Sequence, residues 1–214
     1  MKSLFFALVV ALSLPSVLPC QVLAANNAAL AKSLTALEDA AEGIAEGEAR
    51  GAKALRASKA VISGWPSARR QAAAAKVPLD HLAAVDKAVV RLKASSADRR
   101  TANDVTIALA PLFGDLHAAM PWQIHALDAY SRAFAMDAAS KNWVDAGKID
   151  VAAREAWLRA RSAVTLRPHS AALVSRFESA VQAAHAANEV HDAKGLGKAA
   201  EQIAALVDKV EALY

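Results

Sequence analysis

Apolar residues recur at a helical spacing along most of the chain, and this pattern constrains the fold more than any other feature. In the first clear run the steps alternate between four and three residues, which places the apolar side chains on one face of a helix. No long stretch alternates apolar and polar residues, and β-branched residues occur three in a row only at Val105-Thr106-Ile107. The sequence therefore predicts helices that pack through apolar seams, the first of them at Leu30, Leu34, Leu37, Ala41 and Ile44.

Alanine is the commonest residue, while aromatic residues make up 5% of the chain and the whole sequence has only eight glycines and seven prolines. Alanine has the highest helix propensity and lets neighbouring helices approach closely. The composition therefore favours an all-α fold, an up-and-down antiparallel helical bundle with small residues at its contacts.

The second part of the chain repeats the apolar and aromatic order of the first. Leu127 follows Leu37 at an offset of 90, and Trp157 follows Trp65 at an offset of 92. The offset grows to 98 near the C-terminus. We interpret this as a duplication with halves at 25–118 and 119–214. Eight short helices would form two duplicated four-helix halves, and four long helices would form one long four-helix bundle.

Turn and capping residues predict where the helices are interrupted. Gly43, Gly47 and Gly51 predict a turn in the first half, and residues 140–148 predict its counterpart in the second. Thr101 to Asp104 has the pattern of a capping box. Gly195-Leu196-Gly197 is interpreted as a linker.

The N-terminus has the pattern of a secretory signal peptide. Met1-Lys2 gives a positive start, an interrupted apolar run follows from Leu4 to Leu18, and Val22-Leu23-Ala24 fits a cleavage site. We therefore predict that residues 1–24 are cleaved and that the protein is periplasmic after bacterial export, with secretion as the second choice. No stable membrane span is expected after cleavage.

Cys20 is the only cysteine, and it lies within the segment that is predicted to be removed. The remaining chain would then form no disulfide-linked oligomer, no thiolate metal site and no covalent c-type haem. A chain of roughly 190 residues can bury a sufficient core without disulfides.

The charges are nearly balanced, with 25 Lys and Arg against 21 Asp and Glu. A basic stripe interleaved with aromatic residues, which is typical of a nucleic-acid interface, is missing. We therefore expect no nucleic-acid partner.

The centre of the chain holds the one group of residues that suggests metal chemistry. His117, Met120 and His125 could supply imidazole and thioether ligands to a transition metal such as copper or zinc. Asp128 follows His125 by three residues and could orient its ring as an outer partner. The competing interpretation is an ordinary polar joint between helices.

Three further groups are interpreted as structural. Glu38, Glu42 and Glu46 form a carboxylate ladder without the Glu-x-x-His partners of a di-metal site, so a solvated helix face is expected. The polar cluster around His185 is interpreted as a helix end, and Trp65 and Trp157 as residues that fill the ends of a bundle.

No common catalytic motif occurs: the sequence has no nucleophile elbow, phosphate loop, dinucleotide fingerprint or His-Glu-x-x-His. The sequence therefore predicts a non-enzymatic binding protein without a cofactor, which holds a small ligand or a partner protein between its halves. The alternative is a transition-metal carrier that uses His117, Met120 and His125.

Overall fold

The computed structural model describes residues 19–116 and 119–214, with side chains from residue 27 onward. This part of the chain is all-helical, as the sequence predicts. The predicted signal peptide falls mainly on residues that are not described, and it stays a prediction. The helices of the described residues are α1 (Pro19–Ala45), α2 (Ala52–Ala74), α3 (Leu79–Ala94), α4 (Arg99–Asp115), α5 (Trp122–Ser140), α6 (Trp143–Thr165), α7 (Ala171–Glu189) and α8 (Ala193–Glu211).

The helices pack as two four-helix groups that meet at one joint. Each helix contacts the next one along the chain, α1 also contacts α4, and α5 also contacts α8. Short connections between consecutive packed helices produce the up-and-down bundle order. The contact between α4 and α5 joins the two groups. The described residues form eight helices, so the alternative of four long helices is wrong.

Each group has its own cluster of buried side chains, one from Leu30 to Phe113 and the other from Ile124 to Val210. The predicted first seam is confirmed, because Leu30, Leu34 and Ile44 are at most 1% exposed. Each of these side chains buries more apolar area than an alanine does, and each therefore contributes more to the stability of the core.

The duplication itself stays a prediction, which the packing supports. Trp65 on α2 and Trp157 on α6 are both 3% exposed. Trp65 donates a hydrogen bond to Asp86 on α3, whereas Trp157 stacks on Phe177 of α7 with ring centroids 4.2 Å apart. The same offset of 92 relates two ion pairs, Arg69–Asp86 at 2.9 Å and Arg161–Glu178 at 2.8 Å.

The predicted glycine turn is present between α1 and α2, but Gly43 lies within α1. Gly47 and Gly51 have φ angles of 81° and 53°, and these left-handed conformations suit glycine because it lacks a Cβ. The counterpart turn is shorter than predicted, since α5 runs to Ser140 and α6 begins at Trp143.

Two local predictions are wrong. The N-terminal cap of α4 is Asp98, whose carboxylate accepts from the backbone N–H groups of Arg100 and Thr101, so the helix begins before the predicted capping box. Gly195-Leu196-Gly197 lies inside α8 and is not a linker. Burial of Leu196 in the core of the second group stabilises helix at these glycines.

Among the helices of the described residues, none combines the length and the hydrophobicity that a membrane span requires.

Candidate functional site

A cleft of about 390 Å³ lies where α1 of the first group meets α5 and α8 of the second. We name it the acidic cleft because most of its lining side chains are carboxylates. It is lined by Thr35, Glu38, Asp39, Glu42, Glu46, His125, Asp128, Ala204, Asp208 and Glu211.

Helical spacing explains why these side chains meet. Glu38 and Glu42 are one turn apart on α1, and Glu46 continues their row just past the helix end. The buried seam of α1 occupies a different face, so this row is left to face the joint. On α8 Asp208 and Glu211 are three residues apart, which also places them on one face. The cleft is therefore a meeting of polar helix faces.

Arg132 on α5 holds this wall together. Its guanidinium forms ion pairs with Glu42, Glu46 and Asp128, and its side chain is only 11% exposed. Its Nε donates to the side-chain oxygen of Asn103 on α4 at 3.1 Å. Arg132 therefore links α1, α4 and α5 through charge-assisted hydrogen bonds.

Asn103 is fully buried and fixes α4 against α5. Its side-chain amide donates to the backbone oxygen of Ala129 at 2.8 Å, while its own oxygen accepts from Arg132. A buried amide with both ends bonded has a defined orientation. Through this bond, Asn103 positions the guanidinium of Arg132 against the carboxylates.

His125 forms the other basic contact of the cleft. Its ring stacks on Phe113 of α4 with centroids 4.6 Å apart, and its Nδ1 lies 3.4 Å from Glu38 Oε1. Burial by itself would lower the pKa of His125, but the bond to Glu38 and the nearby carboxylates outweigh it and raise the pKa. His125 is therefore held in place beside Glu38, and this contact favours its protonated form.

The charges of the cleft are far from balanced. Its lining contains seven carboxyl groups, and the basic groups in contact with them are Arg132 and His125. Burial raises the pKa of Glu42 from 4.5 to about 7, and this rise persists although Arg132 opposes it. Burial also raises the pKa of Glu211, although His125 opposes this rise. The cleft thus carries more negative charge than its own cations neutralise.

The structure brings together two of the four residues predicted for a metal site. His125 and Asp128 line the acidic cleft, but Asp128 accepts a hydrogen bond from Arg132, the partner that the sequence prediction did not include. Met120 is half-buried and packs against the core of the second group. His117 lies outside the described residues, so the complete set stays a prediction.

The described residues contain no group of three or more His, Cys, Asp or Glu side chains that could hold a metal ion. Three of the cleft's carboxylates, those of Glu42, Glu46 and Asp128, instead converge on the guanidinium of Arg132.

The polar cluster near the end of α7 is divided by the fold. His185 bonds to the buried Asp150 of α6 with Nδ1 2.9 Å from the carboxylate oxygen, whereas His191 stacks on Trp143 with centroids 4.8 Å apart. Both contacts tie α6 to the region around the end of α7. These contacts agree with the prediction that this cluster is structural.

Sequence reasoning missed the acidic cleft because its walls come from distant parts of the chain. Glu38, Glu42 and Glu46 form a visible row, but the prediction of a solvated face is wrong for Glu38, whose side chain is 12% exposed and faces His125. Nothing in the sequence links them to Asp208 and Glu211, more than 160 residues away. The sequence feature that indicated the cleft was the row of Glu38, Glu42 and Glu46.

No protein-family model, curated protein or solved structure matches the chain. Function therefore has to be inferred from the chemistry of the acidic cleft.

Proposed function

We propose that this protein is an exported, non-enzymatic binding protein that holds a small organic cation with two or more amino groups in the acidic cleft. One observation carries the proposal: seven carboxyl groups line a single cleft, and four of them pair with its two basic side chains, Arg132 and His125. The export part rests on the N-terminal sequence pattern.

The size and position of the cleft suit a small ligand. Its volume of about 390 Å³ lies within the range of small-molecule sites. It is placed between the two helical groups, so a bound molecule contacts side chains of both. A ligand would therefore meet walls that are already fixed by Arg132 and Asn103.

The spread of the carboxylates favours an extended cation. Glu38, Glu42 and Glu46 span eight residues, or about 12 Å along a helix. Arg132 and His125 already pair with this row, whereas Asp39 on α1 and Asp208 and Glu211 on α8 pair with neither of them. A linear di- or triamine carries ammonium groups along its length and can place them near these carboxylates, whereas a single compact cation would neutralise one part of the cleft and leave the rest.

Calorimetric titration with spermidine tests the proposal. We expect saturable one-to-one binding that weakens with added salt, because the attraction is electrostatic and partly screened. Butylamine, which has a single ammonium group, should bind much more weakly. Absence of saturable spermidine binding, or equal affinity for both amines, would contradict the proposal.

Two substitutions on α8 test whether the ligand binds in the acidic cleft. Asp208→Asn and Glu211→Gln remove one negative charge each, and each should weaken spermidine binding by about twofold to fivefold, the range for partly exposed charge pairs. Glu201→Gln is the matched control, since Glu201 is exposed on α8 and does not line the cleft. An equal loss in the control would show that the binding is not confined to the acidic cleft.

Proton release provides a second measure. A cation near Glu42 favours its ionised form, so it should lower the raised pKa of this side chain. Binding near pH 7 should then release protons, and the affinity should fall as the pH is lowered from 8 to 5.5. Titration in buffers of different ionisation enthalpy measures this release, and a proton count of zero would contradict the assignment to Glu42.

The alternative is a transition-metal carrier that uses His117, Met120 and His125. In its favour, His125 and Asp128, two of the residues predicted for the metal site, line the same cleft. Elemental analysis of protein from its native compartment distinguishes the two functions. Absence of stoichiometric metal, or metal content unchanged by the double substitution His117→Ala with His125→Ala, would exclude the carrier.

A further inference from the structure

We propose that a second cavity, separate from the acidic cleft, binds a small planar aromatic molecule that carries one anionic group. This cavity has a volume of about 560 Å³ and lies on α4 between α3 and α5. We name it the aromatic cavity. It shares no residue with the acidic cleft, and its principal walls are Lys87 and Arg91 of α3, Ile107 and Pro111 of α4, and Trp122 and Tyr130 of α5.

The aromatic wall is fixed by contact with the backbone of α4. A Cβ atom at Gly114 would overlap Cδ1 of the Trp122 indole, so the ring lies directly against the helix at the one position without a side chain. Trp122 is half-buried and also packs against the core of the first group. Its remaining exposed surface is part of the cavity wall, where it can stack on a planar ring.

Tyr130 lies two turns farther along α5 and completes this wall. Its side chain is half-buried, and this burial raises the pKa of its phenol, so the hydroxyl stays neutral and can donate a hydrogen bond. The two aromatic residues together form one wall of the cavity beside α4. A planar ring can stack on this wall, which favours a planar ligand.

The floor of the cavity is formed in part by Ile107 and Pro111 of α4. Pro111 has no N–H group, so it donates no hydrogen bond to the carbonyl of Ile107, four residues earlier.

The charges at the rim favour an anion near Lys87. Arg91 lies one turn farther along α3 and pairs with Asp104 at 3.1 Å, so these two charges offset each other. Among the described residues, Lys87 has no acidic side chain within ion-pairing distance. Asp80 also lines the cavity, but it is seven residues from Lys87, or about 10 Å along the helix. The Lys87 end is therefore the positive end of the site.

At the negative end, His81 is engaged by a carboxylate outside the cavity lining. Its Nδ1 lies 2.8 Å from the carboxylate of Asp115. The bond to Asp115 occupies Nδ1 of His81. Asp80 is therefore the exposed charge at this end of the cavity. The two ends of the cavity then differ in sign, which gives a bound molecule a preferred direction.

Calorimetric titration with 2-naphthoate tests this proposal on the full chain. The acid should bind one-to-one, and more tightly than 2-naphthamide, which has the same ring system and nearly the same shape without the charge. Lys87→Gln should weaken naphthoate binding by about threefold, as expected for a partly exposed charge pair, and leave naphthamide binding unchanged. Lys93→Gln, an exposed position on α3 outside the cavity lining, is the control and should change neither.

A cavity-filling substitution locates the site independently of charge. Ala84 is exposed and lines the cavity, so Ala84→Phe should fill it and abolish saturable binding. Ala94→Phe places the same ring on an exposed part of α3 outside the lining and should bind as the wild type does. If Ala84→Phe does not fold in a thermal melt, the comparison of Lys87→Gln with Lys93→Gln decides the question.

Three results would overturn the proposal: no saturable naphthoate binding by the wild type, equal affinity for naphthoate and naphthamide, or the same loss in Ala94→Phe as in Ala84→Phe. Because the two sites share no residue, loss of spermidine binding in the cleft variants has no bearing on this outcome.

Discussion

Replacing Glu42 with glutamine should stabilise the protein at alkaline pH and leave its stability at acidic pH nearly unchanged. Burial raises the pKa of Glu42 to about 7, and the neighbouring carboxylates of Asp128 and Glu46 add to this rise. Between pH 4.5 and 7 the folded protein holds a proton on Glu42 that the unfolded chain has released. Wild-type stability therefore falls as the pH rises through this window.

The size of the effect follows from the same linkage. A pKa change from 4.5 to about 7 corresponds to an upper limit of about 3 kcal/mol, since each pH unit is worth about 1.4 kcal/mol. The side chain of Glu42 is 30% exposed, so solvent screening reduces this to about 1–2 kcal/mol. Glutamine has the shape of the protonated acid and can still donate to Asp128. We therefore expect Glu42→Gln to gain about 1–2 kcal/mol above pH 8.

Urea unfolding of both proteins at several pH values between 4.5 and 9 measures this difference. The two stability curves should meet near pH 4.5 and separate as the pH rises, with the variant above the wild type. Glu201→Gln, on the exposed face of α8, should run parallel to the wild type throughout. Parallel curves for Glu42→Gln, or a variant that is less stable at pH 9, would show that Glu42 is not protonated in the folded protein.

Two further predictions concern packing and capping. Gly114→Ala should lose about 1–3 kcal/mol because the new methyl group overlaps the Trp122 indole, whereas Gly43→Ala, with no atom within 4 Å of the added Cβ, should gain up to about 1 kcal/mol from helix propensity. Urea midpoints compare the two, and shifts of the same sign would contradict the close contact. Asp98→Ala should lower stability by about 1 kcal/mol through the lost cap of α4, and Asp98→Ser should retain most of it. Thermal melts measure this, and an unchanged alanine variant would show that the cap is not stabilising.

The fold was largely predictable because apolar spacing reports directly on burial. Leu30, Leu34 and Ile44 repeat at the helical period and are all buried, as expected of residues whose transfer from water drives packing. Helix ends were less predictable. The glycines around Leu196 cost helix stability individually, yet tertiary packing of α8 outweighs this local preference.

The acidic cleft could be predicted only in part, since charge has no period that reports on its environment. Glu42 in the sequence is indistinguishable from a solvated glutamate of an ordinary helix. What changes its chemistry is burial at the joint, beside Arg132, which is 90 residues away along the chain and on a helix of the other group. Such pairing depends on how α1 and α5 are placed, and the apolar pattern of each helix does not determine this.

The charge at the joint between the two helical groups lowers the stability of the ligand-free protein and, in the proposed function, attracts the ligand. The groups have separate apolar cores, and polar contacts such as those of Asn103 and Arg132 contribute to the joint between them. Burial and the nearby carboxylates of Asp128 and Glu46 raise the pKa of Glu42, so the ionised form of Glu42 destabilises the ligand-free joint. A cation that enters the cleft offsets part of this cost, and because it binds the folded state its binding energy adds to stability. The substitution that relieves the strain without a ligand, Glu42→Gln, should therefore also weaken the binding of spermidine, because the charge that destabilises the joint is part of the charge that attracts the ligand.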